Sequence, residues 1–164
     1  MTSLTYGWIR RGTLASMLVL TTLGFGFIVA PTAQASPTDT YRTTLLNILN
    51  RTRAQHDLRP VKINLPLSDD ALVWSNVMIR KDRIYDPPNL AQLLAPYSWN
   101  DVGADVVGCG STIHEIHKIF MTEAFHRSII LHPKLRRVGI GVVRSTQRNR
   151  CGQNSYWATE LFYG

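Results

Sequence analysis

The chain has 164 residues, 45% of them hydrophobic, with a formal charge of +7 and two cysteines, which is enough for one domain around one core. Its lysines and arginines are dispersed apart from LRR at 135–137 and RNR at 148–150. That spread argues against a nucleic-acid-binding face and leaves only a mild attraction to anionic envelope polymers or lipid headgroups.

Arg10 and Arg11 precede an uncharged run at 12–30, which is followed by Ala33-Gln34-Ala35. A basic start, an apolar run and a small-x-small site predict an export signal over residues 1–35, cleaved after Ala35. The run is also long enough for an uncleaved anchor. The GTL that follows the paired arginines matches a twin-arginine signal poorly, so the general secretory route is favoured. Cleavage leaves residues 36–164 as a single domain, two positive charges lighter and with no stable transmembrane span. Cys109 and Cys151 both remain, and an exported pair is expected to form a disulfide rather than two free thiols. A loop of about 40 residues closed in this way contributes roughly 4 kcal/mol.

From Tyr41 to Gln55, Leu45, Leu46, Ile48 and Leu49 form an apolar stripe that predicts the first helix, with Asn50, Arg51 and Arg53 as polar punctuation. A proline-bearing connection, LRPVKINLPL, leads to Ser68, read as the cap of a second helix with Asp69 and Asp70 in its first turn. That helix carries Leu72, Val73, Trp74, Val77 and Met78 and is expected to end near Arg83, ahead of Pro87 and Pro88. Residues 86–110 read as loop, holding a short strand at best, where backbone is available to ligands. Thr112 and Glu115 have capping-box spacing and open a third helix, with Ile113, Ile116, Ile119, Phe120 and Ala124 on one face. VGIGVV at 138–143 and SYWATELFY at 155–163 predict an antiparallel hairpin around the loop TQRNRCGQN.

The third helix also holds HEIHKIFMTEAFHR. His114 and His117 stand three apart, not the four that a zinc-protease helix needs, and are read as packing or surface histidines. By helical phase Glu123 and His126 lie only about 60° apart and can share one site.

Asn50 and Arg53, WNDVGADVVG, FMTEAFHRSIIL, HPKLRRVGIGVV and the final YWATELF, in that order, resemble the bacterial branch of the CAP superfamily. This superfamily unites cysteine-rich secretory proteins, antigen 5 and pathogenesis-related proteins. The resemblance covers essentially all of residues 36–164 and implies an α+β fold, a three-layer α/β/α sandwich with a central antiparallel sheet. The family's cleft usually gathers two histidines and two acidic residues. Position by position, His126 matches one histidine and Glu123 the acid one turn before it, where many bacterial members carry serine. The glutamate of the family's glycine-glutamate-asparagine motif falls on Ala104, with Asp105 in the asparagine place. The second histidine falls on Asp86 in YDPPNL. The ligand cleft implied by resemblance is therefore Asp86, Ala104, Glu123 and His126, with half its chemistry changed.

Asp86, Glu123 and His126 remain as a weak ligand set for a divalent cation such as zinc, lacking a fourth group. Asp105 is expected to point away from them, because neighbours on an extended segment face oppositely. The competing expectation is a plain Glu123–His126 pair that fixes the helix end. The resemblance favours a secreted, noncatalytic module binding a lipid, sterol-like molecule, peptide or envelope ligand, either free or envelope-associated. The alternative is an extracellular hydrolase with His126 as general base, Glu123 as its orienter, and Ser128 or a metal-bound water as nucleophile.

Overall fold

In the computed structural model, which describes residues 35–164, helix α1 runs Pro37–Ala54. It begins earlier than the apolar stripe alone predicts. Ser36 Oγ accepts the Asp39 N–H at 3.2 Å, and Pro37 sits in the first turn, where an absent N–H costs nothing. The expected export signal, save its last residue, lies outside the described residues.

The connection after α1 contains a two-residue strand, β1 (Lys62–Ile63). Helix α2 (Leu65–Lys81) then starts before Ser68, because Asn64 accepts the Leu67 N–H and Pro66 lies in the first turn. Ser68 is therefore an interior residue instead of the expected cap. Its hydroxyl donates to the Asn64 carbonyl at 2.7 Å and accepts the Ile140 N–H at 3.0 Å. The helix ends at Asp82, held in the left-handed region at φ 46°.

The segment read as loop holds more structure than expected. A short helix α3 (Leu90–Leu94) is followed by an eight-residue strand, β2 (Gly103–Gly110). Aspartate and three glycines mask the strand in the sequence, and pairing with the last strand overrides their propensity.

Helix α4 (Ile113–Thr122) is capped by Thr112, whose hydroxyl accepts the Glu115 N–H at 3.0 Å. The reciprocal half of the expected box is displaced by one residue, so the Glu115 carboxylate takes the Ser111 N–H at 2.8 Å and the Ser111 hydroxyl. Those Ser111 bonds hold Glu115 below the usual carboxylate range. At Glu123 the backbone turns extended (φ −82°, ψ 121°), and a separate helix α5 (Ala124–Ile130) begins. The break leaves Ala124 exposed and brings Ile130 into the core beside Phe120, so the single apolar face expected over 113–124 is split.

Strands β3 (Arg137–Arg144) and β4 (Tyr156–Tyr163) form the expected antiparallel hairpin. The sheet order is β1-β3-β4-β2, with β2 antiparallel to β4, while β1 pairs parallel with β3. The sheet is thus antiparallel except at its β1 edge. Helices α2 and α3 cover one face and α1, α4 and α5 the other, giving the α/β/α sandwich. Residues 35–164 lie within one compact unit.

The glycines of VGIGVV have a packing cause. A Cβ on Gly139 would meet the Leu67 backbone, and one on Gly141 would meet the Ala71 carbonyl and the Leu72 nitrogen. Helix α2 lies so close to β3 that no side chain fits between them. The disulfide Cys109–Cys151 is present, with Cα atoms 6.0 Å apart, and ties β2 to the β3–β4 loop.

Candidate functional site

Strand β2 is an edge strand, and a cleft of about 330 Å³ opens along its start. Gly103, Ala104 and Asp105 line it from β2, Asp86 and Leu90 from the segment entering α3, and Phe125 and Ile129 from α5. The segment bearing Asp86 is anchored by aromatic packing. Trp74 Nε1 donates to the Tyr85 carbonyl at 2.9 Å, and the two rings meet edge to face at 4.9 Å. Asp82 accepts the Arg150 N–H at 2.8 Å, coupling the end of α2 to the loop that carries Cys151.

Asp86, Ala104 and Asp105 thus come together, which corrects the expectation that Asp105 points away. Alternation along β2 holds, but at a free sheet edge a side chain from either face can reach around into the same cleft. Burial, together with the Asp86 charge and a hydrogen bond to its carboxyl, pushes the Asp105 carboxyl up to about 7. One Asp105 oxygen is enclosed without a hydrogen-bonding partner. The Asp105 carboxyl is therefore drawn towards its protonated form near neutral pH.

His126 and Glu123 meet as the helical phase predicts, with Nδ1 and Oε2 2.8 Å apart. The carboxylate lies off the line of the N–H, so Nδ1 makes no directed hydrogen bond despite that proximity. The imidazole packs edge-on to Phe120 at 5.4 Å and beside the Phe125 ring. Glu123 faces a separate groove with Glu115, Lys118, Ile119 and Thr122. Among the described residues no three His, Cys, Asp or Glu side chains gather as a metal site. Asp86, Glu123 and His126 do not fit a resident cation, because Glu123 opens onto a different surface from Asp86.

Ser128 is exposed, and its hydroxyl donates to the Phe125 carbonyl at 2.7 Å, within its own helix. It is held by backbone, as serines near helix ends commonly are. His114 is exposed, whereas His117 is buried with Nε2 2.8 Å from Thr52 Oγ1. Burial brings the His117 imidazole down to about 4, so it stays neutral and serves packing between α1 and α4.

Several participants escaped the sequence reading. Leu90, Phe125 and Ile129 supply the apolar wall of the cleft, and Phe125 is 72% exposed at its mouth. Phe125 carried a signal, a large aromatic beside the family histidine on a short helix. Outside the cleft, Glu160 is an acid inside the apolar strand YWATELF. It is fully buried with neither carboxyl oxygen partnered, and burial pushes it up to about 8.

Residues 46–162 match the family model described as cysteine-rich secretory protein family, CAP. Among curated proteins, the uncharacterized protein YkwD of Bacillus subtilis is 26% identical over 122 residues, covering 70% of this chain and 47% of its own length. The chain therefore spans about half of that relative. Among solved structures, an extracellular protein of Bacillus anthracis containing an SCP domain superposes with a TM-score of 0.62 at 14% identity, covering 80% of this chain and 45% of that one. An outer surface protein of Borrelia burgdorferi does so with a TM-score of 0.58 at 13% identity, covering 76% and 92%. A cysteine-rich secretory protein of Staphylococcus aureus gives 0.57 at 19%, covering 78% and 40%. With helices on both faces of its sheet, a hairpin of the family's glycine-spaced form and a family match across most of its length, the chain belongs to the cysteine-rich secretory protein (CAP) family.

Proposed function

We propose that this chain is an exported, noncatalytic CAP module whose cleft holds an amphipathic ligand of the lipid or sterol-like class. The observation that carries the reading is the composition of the cleft at the β2 edge. Leu90, Phe125 and Ile129 form an apolar wall, and Asp86 with Asp105 forms a polar end. A ligand covering the Phe125 ring would remove apolar surface from water at about 25 cal/mol per Å². A hydroxyl or ammonium head can donate to the carboxyl pair, whereas an anionic head would be repelled by it. The ligand is thus a neutral or cationic amphiphile and not a free fatty acid.

Export is supported by the basic and apolar start of the sequence, by a disulfide suited to an oxidising compartment, and by similarity to proteins described as extracellular or outer-surface. No helix among the described residues is long and apolar enough to cross a membrane. The Glu123–His126 contact is the one observation favouring a hydrolase. Against it, the Ser128 hydroxyl is taken by backbone. Turnover of an ester, peptide or glycan that is lost in His126→Ala with folding intact would establish the hydrolase instead.

The direct test is organic extraction of the purified mature protein followed by mass spectrometry. A neutral or cationic lipid should copurify and should be depleted in Phe125→Ser. Protein that is consistently empty, or that carries only peptide or glycan, would overturn the lipid assignment.

A further inference from the structure

At the opposite edge of the sheet from this cleft, Arg59 and Pro60 from the α1–β1 connection, Lys62 from β1, and Arg136 and Arg137 at the start of β3 line a groove of about 410 Å³. A second cavity of about 380 Å³, bounded by Ser98, Tyr163 and Gly164, borders on the same Arg136 and Arg137. The sequence alone shows only the pair at 136–137. Folding adds Lys62, the direct register partner of Arg137, and Arg59.

This concentration of charge is not ion-paired among the described residues. The ion pairs among the described residues engage Arg42, His126 and Lys134, and none engages Arg59, Lys62, Arg136 or Arg137. Behind the groove wall lies a fifth cation, Arg53, fully buried, with its Nε donating to the Arg59 carbonyl at 2.9 Å and one guanidinium nitrogen unpartnered. Its other bonds reach the Ile130 carbonyl at 2.6 Å and the His132 carbonyl at 3.2 Å. Burial and the Arg136 charge both hold its guanidinium below the usual range. Like charges set side by side repel, and among the described residues no carboxylate forms an ion pair with them.

We infer that this groove binds a linear polyanion bearing phosphodiesters, a polymer of the glycerol-phosphate type. The forks of Arg59 and Arg137, which make no hydrogen bond among the described residues, suit pairs of phosphate oxygens, while one nitrogen of Arg136 already donates to the Pro133 and Leu135 carbonyls. The four lining heads are exposed, so each contact is weak and affinity must come from several phosphates engaged in series. Two cavities bordering one arginine pair offer successive positions for the units of a chain, whereas a planar bilayer cannot enter a concave groove.

The test titrates the mature protein with short poly(glycerol phosphate), inorganic phosphate and phosphatidylglycerol vesicles. The polymer should bind well above the other two, with a log–log salt slope of about 3 for four contacts. Arg59→Ser/Lys62→Ser/Arg137→Ser removes side chains that make no hydrogen bond among the described residues. It should weaken polymer binding at least tenfold and reduce the slope to about 1. Arg51→Ser/Arg80→Ser/Arg148→Ser removes the same charge from exposed positions elsewhere and should change binding less than twofold. Lys62→Glu alone repeats the measurement should the first variant fold poorly. Equal losses in both triple variants would reduce the effect to overall charge and overturn the site. Preferential binding of vesicles, or phosphate binding as tightly as polymer, would overturn the occupant.

Discussion

The two faces of the sheet are built to different standards. Under α2, the buried serines are bonded. Ser68 links the Asn64 carbonyl to the Ile140 N–H, and Ser75 donates to the Gly141 carbonyl at 3.0 Å while sharing a hydrogen bond with Thr159 Oγ1 at 2.9 Å. Under α1, α4 and α5, Glu160 stands between Val106 and Ile140 with both oxygens unpartnered, and His117 Nδ1 and one nitrogen of Arg53 also lack partners. Buried unpartnered groups cost about 1–3 kcal/mol each. Unpartnered buried groups are thus more numerous on the face that also carries α5 and His126, with one Asp105 oxygen the exception on the α2 and α3 side.

Breaking the α2 face should produce the largest effect. In Gly141→Val, branched carbons would occupy the space of the Ala71 and Leu72 backbone, which cannot yield as a side chain can. A loss of about 3 kcal/mol or more is expected, read as failure to fold or a collapsed denaturation midpoint. Near-normal stability would mean that α2 is not locked against β3.

Relieving the other face should act in the opposite direction. The Glu160 carboxyl keeps its proton to about pH 8 in the fold, whereas in the unfolded chain it loses it near pH 4. Its contribution is therefore fully present below about pH 4 and is lost as pH rises towards 8. Glu160→Gln should raise the melting temperature by several degrees at pH 8 and barely change it at pH 4. Parallel pH profiles for variant and parent would show that Glu160 is not held neutral.

Ser75→Ala sharpens the comparison most gently. It leaves the Gly141 carbonyl and the Thr159 hydroxyl without this partner, at a cost of about 1–2 kcal/mol by urea denaturation. No loss would mean that the bonding of the α2 face contributes little.

Wherever local pattern and tertiary packing agree, the sequence was sufficient. Helix α1, the cap at Thr112, the hairpin and the Cys109–Cys151 pairing were all legible. Ser68 was misread because its hydroxyl looks the same whether it caps a helix or bonds the next layer, and only the approach of β3 decides between them. Strand β2 was missed because its aspartate and glycines suit a ladder only when β4 lies alongside. At the site, Glu123 and His126 were paired correctly by helical phase, but the backbone break at Glu123 turns the acid towards another groove.

By itself the sequence determined the family, through the order of its motifs, and most of the alternation of helices and strands, through local periodicity. Tertiary structure alone decided that Asp105 joins Asp86 around a free sheet edge. It also decided that Glu160 is sealed without a partner, and that Lys62 meets Arg137 in a groove whose cations form no ion pair among the described residues. Strand order sets each of these, because it fixes which distant segments become neighbours, and a charge has no preferred environment until its neighbours are in place.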